Sequence, residues 1–171
     1  MSDDVPFDVL NDFPETGDLS TQVGGDVIDA AKGVRFTIQK VDPRVVEKDG
    51  VKLMAKLNVR AAVGPLGVDG NGKYANKNLF AELIVWINEE KYNSDWWKKQ
   101  ARFPYKSFLK ALAFDPATPP KVTDEFLTLL KGKEFVADIS KVEMQIKGED
   151  GKWVGTGDFK NELKNFKAVE A

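Results

Sequence analysis

The alternation of apolar and polar residues along this chain predicts a mainly β (α+β) fold, a five-stranded barrel with a helical insertion between strands 3 and 4. Three observations carry that expectation. Five runs keep period two, and the segment between the third and fourth runs shows helical spacing and helix caps instead. Hydrophobic residues make up 42% of the chain and include 11 Phe, enough for one sizeable core. A length of 171 residues suits one domain with an arm.

The arm comes first. Residues 1–31 hold eight acids, Asp3, Asp4, Asp8, Asp12, Glu15, Asp18, Asp26 and Asp29, and no Lys or Arg. The remaining 19 acids face 25 bases over residues 32–171, a net charge of +6 that the overall value of −2 conceals. Pro6, Pro14, Gly17, Gly24 and Gly25 break any period, so the arm is expected to be extended. Val5, Phe7, Val9, Leu10 and Phe13 are spaced among its acids. Such a segment reads either as a tail, solvated or packed on its own domain, or as a regulatory and partner-binding element. In the second case its charge would compete with a polyanion for a basic face.

The domain, residues 32–171, opens with a strand at Val34–Val41. Asp42-Pro43 is expected to end it, and Glu47-Lys48-Asp49-Gly50 turns the chain back. Val51–Val63 is the most regular strand. Val51, Leu53, Ala55, Leu57, Val59, Ala61 and Val63 share one face, and Lys52, Met54, Lys56, Asn58 and Arg60 share the other. The first face must be buried, which offers the basic one to a ligand. Gly64–Asn76 follows as a long glycine-rich loop. It contains Gly67-x4-Gly72-Lys73, but Tyr74 stands where a phosphate-binding loop needs Ser or Thr, and the segment leads into a strand rather than a helix. Asp69 to Lys73 starts like a calcium loop, yet Lys73 holds the third ligand position.

Asn78–Asn88 is the third strand, with Leu79, Ala81, Leu83, Val85 and Ile87 on one face and Phe80, Glu82, Ile84 and Trp86 on the other. Asn93 or Ser94 caps a short helix, DWWKKQAR, interrupted by Pro104. Tyr105–Phe114 forms a second helix whose stripe is Tyr105, Phe108, Leu109, Leu112 and Ala113. Thr123 caps a third, with Asp124 and Glu125 at its positive end and Gly132 as its stop. Glu134–Ile146 is the fourth strand, with a bulge expected near Ser140-Lys141. Lys147–Asp158 reads as a glycine-rich hairpin loop and Asn161–Val169 as the fifth strand. The order β-β-β-α-β-β is that of an OB-like barrel, although other small antiparallel barrels share it.

From about Lys32 to Ala168 the chain resembles bacteriophage single-stranded DNA-binding proteins of the OB-fold type. The resemblance rests on a long strand pair followed by a Trp-containing third strand, on KSFLKALAFDP and LLKGKEFVADISKVE, and on a charged glycine loop leading into NELKNFKAV. It implies sequence-independent coating of single strands during phage DNA replication or recombination, in the cytoplasm of the bacterial host. One feature departs from the pattern: many such proteins carry an acidic tail at the C-terminus, whereas here the acidic segment comes first. Expected partners are single-stranded DNA and, through the arm, replication or recombination proteins. No membrane contact and no cofactor are expected, and self-association stays open.

A sequence-tolerant binder needs a cationic track and aromatic platforms, each stacked base contributing about 1–3 kcal/mol. Lys52, Lys56 and Arg60 supply a track on the second strand, and Phe80 and Trp86 offer platforms beside it. Lys73, Tyr74 and Lys77 in one loop, with Lys152 and Trp153 in another, would clamp the strand from either rim. Each has a plainer reading. Trp86 and Phe80 fit the core of a small barrel as well as its surface, and basic residues on helices usually form a solvated face.

The chain has no Cys and no His, which excludes thiolate chemistry and removes the usual general base and commonest metal ligand. No apolar run reaches membrane-spanning length and the N-terminus is acidic, so a soluble, intracellular, non-enzymatic protein is expected. Acids such as Asp69, Asp95, Asp150 and Asp158 are scattered without the convergence a metal-dependent nuclease needs. The alternative function is a β-barrel used for protein contact, as an interaction or virion accessory module.

Overall fold

Five strands and three short helices account for most of the residues that the structure, a computed structural model, describes, namely 27–170. They run β1 (Ala31–Lys48), β2 (Val51–Val63), β3 (Asn78–Ile87), α1 (Asp95–Lys99), α2 (Phe103–Ala111), α3 (Asp124–Leu130), β4 (Glu134–Lys147) and β5 (Trp153–Lys167). The strands form one antiparallel sheet in the order β3-β2-β1-β4-β5. That sheet is open, with β3 and β5 as its edges. Among the described residues no helix is long and apolar enough to cross a membrane.

The period-two signal of β2 does what its chemistry requires. Ala55, Leu57, Val59, Ala61 and Val63 are buried against the core, while Lys56 and Arg60 stay partly exposed on the other face. Phe36 of β1, Phe135 of β4, Phe166 of β5 and Phe108 of α2 meet at ring distances of 5.4–5.6 Å. Helix α2 therefore seals the inner face of the sheet through Phe108 and Leu109, and it contacts both β3 and β5. The helix ends follow local chemistry. The Ser94 hydroxyl accepts from the Trp97 N–H at 3.4 Å, and the Thr123 hydroxyl accepts from the Phe126 N–H at 3.2 Å. Gly132, with φ of +89°, ends the turn after α3.

Several expected boundaries shift. Strand β1 runs through Asp42-Pro43 to Lys48 instead of ending there. It pairs with β4 only from Ala31 to Thr37, so at Pro43 it has β2 on one side and no ladder on the other. A proline costs no hydrogen bond at such an edge. Helix α2 starts at Phe103, ahead of Tyr105, because Pro104 fits the first turn, and it ends at Ala111 rather than Phe114. The fourth strand pairs regularly at Ser140 and Lys141; the register of its ladder with β5 shifts between Val136 and Asp138 and between Glu143 and Gln145, with the extra residues on β5. Strand β5 begins at Trp153, not Asn161, which confines the hairpin turn to the residues between Lys147 and Trp153. Gly155 and Gly157 lie inside the strand, where Gly155 leaves room for the Glu143 carboxylate and Gly157 takes a φ of +81° at the bulge. The expected barrel is, in hydrogen-bonding terms, an open sheet. The extended arm expected over residues 1–31 lies outside the described residues up to 26, and Ala31 already belongs to β1.

Candidate nucleic-acid interface

The outer face of β1, β2 and β3 is built from cross-strand rows. Pairing places Lys40, Arg60 and Phe80 in one row, Asp42, Asn58 and Glu82 in the next, and Arg44, Lys56 and Ile84 in a third. Two cationic rows thus flank one acidic row. Lys56 Nζ lies 2.8 Å from a Glu82 carboxylate oxygen, and Lys40 Nζ lies 3.4 Å from Asp42. The Nε–H of Arg60 is buried with no acceptor among the described residues.

A depression opens where the sheet fails to close. A groove of about 1340 Å³ runs between β3, from Asn78 to Leu83, and β5, from Gly157 to Phe166, with Phe103 and Pro104 of α2 also in its lining. Six cations line it (Arg44, Lys56, Lys77, Lys141, Lys160 and Lys164) against three carboxylates, Glu82, Asp158 and Glu162. Lys56 and Lys160 are paired, the latter with Glu162 at 3.3 Å. Arg44, Lys77 and Lys164 have no carboxylate partner among the described residues. Three aromatic rings interleave with these charges. Phe103 and Phe159 are 65% and 43% exposed, and Phe80 is half-buried. Lys141 Nζ stands 5.2 Å from the centroid of Phe159, a cation held over a ring face.

Of the residues singled out in the sequence, Lys56, Lys77 and Phe80 meet in this groove, and Arg60 lies beside it as the cross-strand partner of Phe80. Lys52 is off the track. A register shift between Val46 and Glu47 pairs it with Glu47, out of phase with Lys56 and Arg60. Trp86 is no platform: it is 6% exposed and packs in the core. The cause is a bulge in β3, where Lys56 pairs with Ile84 but Ala55 pairs with Trp86, so the indole turns to the inner face with Ala55. Lys73 and Tyr74 are exposed on the β2–β3 loop with Lys73 Nζ 5.4 Å from the Tyr74 centroid, away from the groove lining. Lys152 and Trp153 sit at the far end of the β4–β5 hairpin, where Trp153 is 65% exposed.

Arg44, Phe103, Lys141, Phe159, Lys160 and Lys164 also line the groove, and none is among the residues the sequence singles out. The period-two spacing of Lys160, Glu162 and Lys164 signals them only when the fifth strand starts before Asn161, and Arg44 follows only when the first strand continues past Asp42-Pro43.

Two carboxylates are held below the ordinary Asp range by hydrogen bonds. Asp138 on β4 accepts from the Asn165 side chain at 2.8 Å and from the Gly33 N–H at 2.9 Å. Asp69 accepts from the backbone N–H groups of Asn71 and Lys73, which shapes the β2–β3 loop. Neither lines the groove. The chain matches no protein-family model and no curated protein sequence.

Proposed function

We propose that this chain is a sequence-independent single-stranded DNA-binding protein with an OB-like barrel, and that it acts without catalysis. The groove between β3 and β5 carries the reading, because it interleaves aromatic rings with cations, of which Arg44, Lys77 and Lys164 have no carboxylate partner among the described residues. That pairing of chemistries suits a flexible polyanion whose bases expose their π-faces. The barrel assignment is supported by the strand order β3-β2-β1-β4-β5, by the approach of β3 to β5 within 8 Å between Cα atoms, and by α2 packing on both edges. The resemblance to phage single-strand binders supplies the setting, coating of exposed strands during phage DNA replication or recombination in the host cytoplasm.

The test is a titration of a labelled oligo(dT), about 16 nucleotides long to cover one such site, at two salt concentrations. Binding that weakens steeply with salt is expected. Phe80→Ala and Phe159→Ala should each cost about 1–3 kcal/mol of affinity, whereas Trp86 should contribute no stacking signal. Absence of binding at low salt would overturn the proposal. One observation favours the second reading, protein contact: Met144, Ile146 and Val154 are 37–59% exposed on the β4–β5 hairpin, and Ile146 and Val154 are paired neighbours.

A further inference from the structure

We propose that Tyr92, Trp96 and Trp97 form a second stacking platform, on which a single nucleic-acid strand lays its bases after leaving the groove past Phe103. The inference rests on the functional reading above and adds the path of the strand beyond the sheet.

Four observations point to it. The first is a ring cluster outside the core. The centroids of Tyr92 and Trp97 lie 4.5 Å apart and those of Trp96 and Trp97 4.8 Å apart, the latter pair edge to face. None of the three belongs to the hydrophobic core or packs against it, and α1 buries no residue. Trp96 is 52% exposed. Two indoles on a helix that buries nothing add little to folding, which leaves their apolar surface for a ligand. The second is a fixed base. Asn88, just after β3, donates from its N–H to the Leu53 carbonyl at 2.8 Å and from its Nδ2 to the Lys52 carbonyl at 3.0 Å, and its own carbonyl accepts the Tyr92 N–H at 2.9 Å. With the Ser94 cap on α1, the rings are in place before a ligand arrives. The third is charge. Residues 88–110 hold six cations and three acids, and one of those acids, Glu89, lies 3.9 Å from Arg102. Lys91, Lys98 and Lys99 are exposed and have no carboxylate partner among the described residues. Such surroundings disfavour the ammonium ligands that aromatic clusters otherwise hold, and they suit a base with phosphates beside it. The fourth is continuity with the groove. The Trp96 carbonyl accepts the N–H groups of Gln100 at 2.8 Å and Ala101 at 3.1 Å, and the Gln100 carbonyl accepts that of Phe103 at 3.0 Å. This tight turn joins α1 to Phe103 in the groove lining. Seven residues span at most about 25 Å even when fully extended, so one strand of roughly 4–16 nucleotides can touch both places.

The experiment uses the full chain and two oligo(dT) probes, one of about 16 nucleotides and one of about six, near the ends of the range such folds hold. Trp96→Ala removes a ring that the fold does not bury, so its Tm should equal that of wild type. It should weaken the longer probe about tenfold, the loss of one stacked base, and leave the shorter probe unchanged. Phe159→Ala should weaken both. A longer probe carrying 5-iodouracil at its ends should photocross-link to Tyr92, Trp96 or Trp97, read by peptide mass spectrometry. Unchanged affinity of Trp96→Ala for the longer probe, while Phe159→Ala still weakens it, would overturn the platform and leave the groove reading intact. Cross-links confined to groove peptides would do the same. Cross-links to Trp96 with Phe159→Ala unaffected would uphold the platform and remove the groove reading instead. Binding of neither probe at low salt would overturn both and return the rings to protein contact.

Discussion

Tyr105 shows how a single atom can sit at odds with its surroundings. Its ring is buried on α2, and its hydroxyl has no hydrogen-bond partner among the described residues, so burial pushes its pKa up. An unsatisfied buried hydroxyl costs stability that its aromatic ring does not need. Tyr105→Phe should therefore stabilise the fold by about 1 kcal/mol, raising Tm by roughly 2–4 °C in a thermal melt. A lowered Tm would mean the hydroxyl is satisfied. Asp138 has the opposite character. Its hydrogen bonds from Asn165 and Gly33 hold its pKa below the unfolded value. Its contribution is therefore complete above about pH 4, the ordinary Asp range, and is lost as pH falls through the lower folded value. Urea midpoints measured against pH should show Asp138→Asn destabilised near neutrality, with the gap to wild type closing only in strong acid. A gap independent of pH would contradict this.

At the scale of elements, local signals were legible and neighbour-dependent ones were not. The helix caps at Ser94 and Thr123 are read from sequence because the accepting hydroxyl and the N–H that donates to it lie three residues apart. The passage of β1 through Pro43 depends on which strand flanks it, and no local spacing records that. The inward turn of Trp86 depends on a bulge, which reverses a face by a single residue. Asn161 ties β5 to Ile28, 133 positions earlier in the sequence. Besides clamping Ile28, its Nδ2 donates to the Ser140 carbonyl at 3.2 Å. Asn161→Ala should cost about 1–3 kcal/mol, and amide exchange at Ile28 should accelerate more than exchange at Phe36 in the core. Equal acceleration at both would assign Asn161 a general rather than a local role.

For the whole molecule, charge is organised by topology. Six cations from β1, β2, β4, β5 and the β2–β3 connection reach one groove, although they are spread from Arg44 to Lys164 in the chain. The net +6 of residues 32–171 was legible as a quantity, but its placement depends on which two strands become edges. Removing two groove cations that have no carboxylate partner among the described residues makes the test quantitative. Each single-strand phosphate contact contributes about 0.7 to the slope of log K against log salt, so Lys77→Ala with Lys164→Ala should reduce the slope by about 1.4. An unchanged slope would place the phosphates elsewhere.

A sheet left open at β3 and β5 also has two ladders of backbone N–H and C=O groups without strand partners among the described residues. Natural sheets shield such edges, because an exposed one is a template for pairing with another copy of the chain. The charged lining of the groove is one such shield, since like-charged Lys77 and Lys164 would meet their own counterparts if two edges approached. Solubility and ligand capture would then have a common origin in the same side chains. Neutralising those lysines should not only weaken binding but also bring forward self-association as concentration rises.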